Sequence, residues 1–479
     1  MTSTTRVVLI GGASGTLYAA TYALQRSIAP VHAGTGSALT WIVTLYLVVT
    51  VVQFVLYGML ISLASRGALE SGRARALALV FPVLFNAALL AGRPSLSIDV
   101  FTYIAHGYQA SIGQSPYAHP VKEVAEMPFG RELARFGWIP VHGVSPYGPI
   151  WTEIEATVVR ATPDIPAAML AIKTIVTLFS LGCALMIWSI LAKVAPRPQL
   201  IGTLLYLWNP VTIVEFAGEG HNDAVMMFFM LLSLFLWLRA REGVSMVATA
   251  CAALVKVVGV MLVPLELVYA WRTHHDRRRL VGQILVGAGI AAGIAVLVLA
   301  PVWIGWHTFD GLRAHSRPSI LASTPGVLYW YLIRSHSEQA SALLLSTMMT
   351  GAFAAAVAFA CLTVKDAASL LRACGFVAVV YLVVAPGYWP WYAAMPIALL
   401  ALTPDRTFVW AIVAVSVASR LAAPIDTLRL DGWMDWEREM FIVTIVGVWL
   451  PVALLSIRAA WRPRYGRSQY ASPVRYVSS

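Results

Sequence analysis

Asp99 stands in Ser97-Ile98-Asp99-Val100-Phe101-Thr102-Tyr103, directly after a long apolar run, where a carboxylate meets an interface rather than bulk water. Partial desolvation moves a carboxyl toward the working range of a general base. The same position also suits an N-cap for a helix over 102–110. Glu215 lies near the end of another apolar run, where an unpaired acid is costly and so marks a functional candidate. The turn Gly220-His221-Asn222-Asp223 follows it. His221 and Asn222 have the donors and acceptors to hold substrate hydroxyls or to orient Asp99, and the turn serves equally to cap a helix starting at Ala224, with Asp223 as its N-cap. Lys256 interrupts Ala252-Ala253-Leu254-Val255-Lys256-Val257, and a buried ammonium needs an anion. A lipid phosphate, Glu215 or Asp223 would each serve, unless the side chain snorkels to a headgroup. Arg313, His315 and Arg317 follow Trp306-His307. Guanidinium forks fit phosphate oxygens, and they also snorkel beside anionic lipid. Tyr388-Trp389-Pro390-Trp391-Tyr392 offers a stacking wall or an interfacial aromatic belt.

The elements that position these residues are transmembrane. A chain of 479 residues that is 59% apolar, 12% charged and has a mean hydropathy of +0.74 lacks the polar surface to cover a soluble domain. Apolar length predicts helices near 7–28, 40–63, 76–92, 167–192, 199–216 and 224–238, a hairpin of two half-helices over 245–271, and further helices near 281–303, 341–363, 373–386, 391–403, 407–423 and 440–457. That is one integral domain over 1–479, all-α, with about twelve spans plus the re-entrant hairpin. The run Val7 to Leu24 reads as a retained first helix, because a leading region with Arg6 alone and a core broken by Gly11-Gly12 and Gly15 make a poor secretory signal.

With the N-terminus in the cytoplasm, the loops holding Arg66, Arg73, Arg75, Lys193, Arg197, Arg239, Arg241, Arg272, Arg277, Arg278, Arg279, Lys365, Arg372 and Arg406, and a basic tail over 458–479, are all internal. Both termini are then cytoplasmic, and most carboxylates, Asp99 among them, are external. The net charge of +11 is thus an orientation signal, and nucleic acid is not an expected partner. The longest external loop, 93–166, contains amphipathic pieces such as Phe129 to Phe136 that suit a membrane surface. Loops over 306–340 and 425–439 complete a roof; the latter, Asp431-Gly432-Trp433-Met434-Asp435-Trp436-Glu437, mixes acids and indoles in a way that suits carbohydrate. Cys183, Cys251, Cys361 and Cys374 sit in apolar runs with no metal-ligand spacing.

Asp99, Tyr103, His106 and Gly107, then Gly113-Gln114-Ser115-Pro116-Tyr117 and Ser145-Pro146-Tyr147-Gly148-Pro149, form a series that resembles the GT-C superfamily of membrane glycosyltransferases, which use polyprenyl-phosphate sugars. Trp208-Asn209-Pro210, Glu215 and Gly220-His221-Asn222-Asp223-Ala224 are similar to the signature of bacterial polyprenyl-phosphomannose-dependent mannosyltransferases, which also carry a Trp-Pro-Trp-Tyr-like turn. The resemblance implies a GT-C-like fold in a bacterial inner membrane, with an extracytoplasmic active site that moves a sugar, mannose by this signature, from a polyprenyl-phosphate donor to a glycolipid or lipid-linked glycan. It implies Asp99 as the base of an inverting displacement. The expected substrate-binding residues are Tyr103, His106, Glu215, His221, Asn222, Lys256, His307, Arg313, His315, Arg317, Tyr388, Trp389, Trp391 and Tyr392. Ile98 and Val100 flank Asp99 where many relatives place a second acid, and a lipid-monophosphate leaving group requires no metal; neither metal nor cofactor is expected. Arabinofuranosyl or glucosyl transfer is the rival within the class. Outside it stand a lipid-linked glycan transporter or flippase, which would concentrate charge at mid-depth, and a non-catalytic scaffold of an envelope complex.

Overall fold

The computed structural model describes residues 1–28, 37–69, 71–430 and 434–460. The expectations for Asp431, Gly432 and Trp433, and for all but the first three residues of the basic tail, lie outside the described residues. Within them the chain is all-helical apart from one isolated bridge between Ile304 and Trp306.

Helices α1 (Ser3–Ile28), α2 (Ser37–Ser65) and α3 (Gly72–Leu90) open the bundle. The loop region then holds α4 (Asp99–Ser111), α5 (Lys122–Ala125), α6 (Pro128–Ala134) and α7 (Pro149–Ala161). Next come α8 (Ile165–Val194), α9 (Gln199–Leu207), α10 (Pro210–Ile213) with a π-helical turn over Val214–Gly218, α11 (Asp223–Trp237), α12 (Glu242–Val255), α13 (Val263–Thr273) and α14 (Arg277–Leu299). The remainder comprises α15 (Asp310–Ser316), α16 (Thr324–Leu332), α17 (Glu338–Thr363), α18 (Ala367–Val384), α19 (Ala394–Leu400), α20 (Arg406–Leu430), α21 (Trp436–Val443) and α22 (Leu450–Ala460).

Among the described residues nine helices are long and apolar enough to cross a membrane, and the bent pair α9 and α10 makes ten. The polytopic reading stands on these. The fuller count of about twelve included 224–238 and 391–403, which fold as Asp223–Trp237 and Pro390–Leu400, helices of 10–17 residues. At 1.5 Å per residue these fall short of a hydrocarbon core of about 30 Å. The segment expected as a hairpin does break at Lys256, between α12 and α13, with a 3-10 turn over Val257–Val260. Its two limbs diverge: α12 packs on α11 and α14, while α13 packs on α17 and α18.

The bundle grades from covered to bare helices. Protein covers 67% of the apolar window in Thr407–Ile425 but only 6% of that in Arg277–Val302 and in Glu338–Thr363. Segment 407–425 is therefore central, while α14 and α17 present nearly continuous apolar surface to their surroundings. The 49° bend between α9 and α10 has a local cause. Pro210 has no amide hydrogen to continue α9. Asn209 restarts the helix by accepting the Val211 amide at 3.0 Å and anchors the bend by donating Nδ2 to Ser416 at 2.8 Å. The π-helical turn that follows widens the backbone, a geometry that recurs at functional sites, and carries Glu215.

Candidate active site

The loops meet over one large cavity of about 800 Å³. Asp99 lines it from the first turn of α4, together with Glu215, Lys256, His315 and the run Tyr388 to Tyr392. Their seats have identifiable causes. The Ser97 hydroxyl accepts the Asp99 amide at 3.1 Å, and two phenols, Tyr103 and Tyr147, each reach Asp99 Oδ2 at 3.4 Å. Burial pushes both phenols well above their ordinary range, with the neighbouring Asp99 charge acting in the same direction, so they remain donors. Tyr147 is brought there by the Ser145-Pro146-Tyr147-Gly148-Pro149 turn, which docks on the end of α12 through a bond from the Gly148 amide to the Val255 carbonyl at 3.0 Å. A Cβ on Gly148 would lie 2.1 Å from the Leu254 carbonyl oxygen, so a side chain there would prise the turn off.

The turn after the π-helix is a second clamp. Gly220 has a φ of +79°, and a Cβ on it would lie 2.4 Å from Val100 Cγ2, so glycine lets this turn touch the start of α4. Glu215 is buried, ion-paired to Arg420 and hydrogen-bonded by His221 Nδ1 at 3.1 Å. Arg420 also donates to the Tyr46 hydroxyl. Burial pulls the His221 imidazole down, but the Glu215 bond and charge, with Asp99 and Asp223 nearby, carry it above its usual range. Its ring stacks on Trp391 at 3.8 Å, and Trp391 stacks on Trp389 at 5.3 Å. Lys256 Nζ bonds Asp223 Oδ1 at 2.9 Å and Oδ2 at 3.0 Å and lies 4.8 Å over the Tyr392 ring. Glu219 accepts the backbone amides of Ser95, Leu96 and Ser97, each at 3.1 Å. Burial and the Glu215 charge push its carboxyl up, while His221, the Leu96 amide and Arg420 pull it back.

The expected residues divide into four groups. Asp99, Glu215, Lys256, His315, Tyr388, Trp389, Trp391 and Tyr392 line the cavity. Tyr103, His221 and Asn222 stand in the layer behind them, fully buried; His221 Nε2 and both polar atoms of Asn222 have no hydrogen-bond partner among the described residues. His106 is behind that layer, fully buried and 3.9 Å from the equally buried Glu155, so it faces the α4–α7 contact. His307, Arg313 and Arg317 are exposed and do not line the cavity. Asp310 takes His307 Nδ1 at 2.9 Å and Arg313 at 2.8 Å on the surface of α15, and the His307 bond, with Arg313 beside it, lowers the Asp310 carboxyl.

The sequence reading passed over Arg420, Glu219, Tyr147, His142 and Glu439. Arg420 carried a signal, a lone cation within the apolar run 407–423. Tyr147 was visible only as part of a turn motif. His142 and Glu439 line the cavity from segments whose approach is set by tertiary packing alone.

The family described as alpha-(1->6)-mannopyranosyltransferase, N-terminal domain, matches residues 2–274, more than half of the chain. Alpha-(1->6)-mannopyranosyltransferase B of Corynebacterium glutamicum is 25% identical over 410 residues, which cover 77% of this chain and 66% of that protein. Alpha-(1->6)-mannopyranosyltransferase A of Mycobacterium tuberculosis is 25% identical over 375 residues, 70% of this chain and 67% of its own. The chain thus spans just under two-thirds of the length of the first of these relatives.

Proposed function

Since the chain belongs to the alpha-(1->6)-mannopyranosyltransferase family, we propose that it is a membrane-bound mannosyltransferase using a polyprenyl-phosphate mannose donor, with Asp99 as base. The acceptor hydroxyl gives its proton to Asp99 as its oxygen forms a bond to the anomeric carbon. The bond from that carbon to the phosphate oxygen breaks, and polyprenyl phosphate leaves. A single-step displacement inverts the anomeric centre, so an α-linked product requires a β-linked donor.

The observation that carries this reading is the placement of Asp99 in a cavity with two kinds of wall. Asp99, Glu215, His142, Lys256 and the Trp389–Trp391 stack make a polar and aromatic end suited to a sugar and a phosphate. Val257, Val258, Val260, Met261 and Phe353 make an apolar side leading toward α17, the helix with almost no protein cover, where an isoprenoid passes between cavity and bilayer. Lys256 is the cation that meets the donor phosphate. Holding lipid and phosphate together orients the anomeric carbon, which converts binding into proximity. Asp99 and its loops face the outside of the inner membrane, in keeping with the charge bias of the opposite loops, and both termini are cytoplasmic. The twelve-span count follows if the short helices α11 and 390–400 reach the interface through neighbouring turns. The acceptor is a glycolipid or lipid-linked glycan entering beneath the loop 93–166.

The test incubates purified protein with radiolabelled polyprenyl-phosphate mannose and a membrane lipid extract, comparing wild type with Asp99→Asn. Label should pass to a lipid-extractable glycan in the wild type and not in the variant. Transfer that survives in Asp99→Asn removes the base, and no product from wild type with any polyprenyl-phosphate sugar removes the enzyme reading.

A further inference from the structure

The Glu219 carboxylate is the fixed point from which the approach to Asp99 is built. Its Oε2 accepts three consecutive backbone amides, those of Ser95, Leu96 and Ser97, each at 3.1 Å. Its Oε1 accepts Gln25 Nε2 of α1 at 2.7 Å and faces the Ser95 hydroxyl at 3.4 Å. Each of these contacts is a donation to Glu219, the set that a carboxylate accepts, and it works against the upward push of burial and the Glu215 charge. Successive amides converging on one oxygen form a backbone nest, an arrangement that binds anions, here filled by the protein's own side chain. The nest ends at Ser97, whose hydroxyl accepts the amide of Asp99. Its other border is set by Lys173, buried in α8, which donates to the carbonyls of Leu89 and Gly92 just before the segment begins.

We propose that Glu219 is a positioning residue for the transfer reaction: its carboxylate clasps the Ser95–Ser97 backbone and so fixes where Asp99 enters the cavity. This inference rests on the reading of Asp99 as the base. Glu219 does not line the cavity assigned to donor and acceptor. It acts through Ile98, the one residue between the nest and Asp99, and it couples that segment to the turn that carries Gly220 and His221. Glu219→Gln keeps shape but removes the charge and turns one of the two acceptor oxygens into a donor, which weakens the hold on the amides or on Gln25.

The experiment measures initial rates of Glu219→Gln with radiolabelled polyprenyl-phosphate mannose and membrane lipid extract, beside amide hydrogen exchange of the detergent-solubilised full chain. We expect kcat to fall roughly tenfold to hundredfold, the loss typical of a misplaced reacting group. The donor KM should stay within about twofold, since Lys256 and the Trp389–Trp391 stack, the walls assigned to phosphate and sugar, are untouched. Exchange should quicken at the amides of 95–97 and remain unchanged in α8 and α20. Gln25→Leu, which leaves the carboxylate and removes one donor, is the second variant and should show a smaller loss with the same split. Wild-type kcat in Glu219→Gln, or undiminished protection at 95–97, overturns the proposal; so does a KM that rises as much as kcat falls. If Asp99→Asn is fully active, the base reading falls and takes this inference with it. Failure of the clasp alone is recognised by an inactive Asp99→Asn beside an unimpaired Glu219→Gln.

Discussion

The Tyr147 hydroxyl lies 3.4 Å from Asp99 Oδ2, the same oxygen that the Tyr103 hydroxyl reaches, also at 3.4 Å. Two donors on one oxygen hold the carboxylate plane and, on the proposed role of Asp99 as base, leave Oδ1 for the acceptor hydroxyl. The rings support each other edge to face at 5.2 Å, and Tyr103 rests in the same way on Trp151 at 5.1 Å. Removing one phenol keeps the packing and frees the carboxylate to rotate. Tyr147→Phe is therefore expected to lower kcat about tenfold with little change in donor KM, consistent with the loss of one hydrogen bond to a charged group at about 1.5 kcal/mol. Steady-state rates check this, and a change confined to KM would place Tyr147 on the donor instead.

Among the described residues Lys256 is the lysine or arginine that lines the cavity, with its ammonium both on Asp223 and over the Tyr392 ring. Arg313, the sequence-level candidate for phosphate, is spent on Asp310 at the surface. Lys256→Gln is expected to raise the donor KM roughly tenfold or more, in the range of one charge-assisted hydrogen bond, while Arg313→Ala and Arg317→Ala stay near wild type. Because Lys256→Gln leaves Asp223 without its counter-ion, Lys256→Gln with Asp223→Asn serves as the control: it restores neutrality without restoring donor affinity. A donor KM that responds to Arg313→Ala more than to Lys256→Gln would relocate phosphate binding to α15.

The two arginine assignments show where sequence reasoning ends. Apolar length located the long membrane helices to within about six residues at each end, because span length is imposed by the bilayer. Lys256 was found because a charge within an apolar run needs a partner, and Asp223 was among the partners considered. That rule does not say which acid wins: Glu215 goes to Arg420, which arrives from a segment far along the chain, and Asp223 is left to Lys256. Arg313 and Arg317 looked equivalent to Lys256 on chemistry alone; only packing shows α15 lying on the surface with its own acid. The place of His106 is likewise set by packing. It is one turn beyond Tyr103 on α4, close enough in sequence to share the site, yet the helix rotates it onto α7.

That rotation makes the His106 and Glu155 pair a measurable stability element. Both side chains are fully buried, 3.9 Å apart. Burial holds His106 down at about 3 and pushes the Glu155 carboxyl well above its ordinary range, so both are neutral when folded. The signs follow from proton counting. An unfolded Glu155 releases its proton above about 4.5 while the folded one keeps it, so the stability from Glu155 is present below about 4.5 and is lost as pH rises. An unfolded His106 takes a proton below about 6.5 while the folded one does not, so the stability from His106 is lost as pH falls from about 6.5 toward 3. Each opposes the other between about 4.5 and 6.5, and above that Glu155 acts alone. Glu155→Gln carries no titrating proton, so it should unfold at a higher temperature than wild type at pH 8, with the gap closing by pH 4.5. The slope removed is up to about 1.4 kcal/mol per pH unit. Thermal unfolding in detergent across that range decides the matter, and a variant less stable than wild type at pH 8 would mean that the folded pair is ionised, with Glu155 serving as counter-ion to a charged His106.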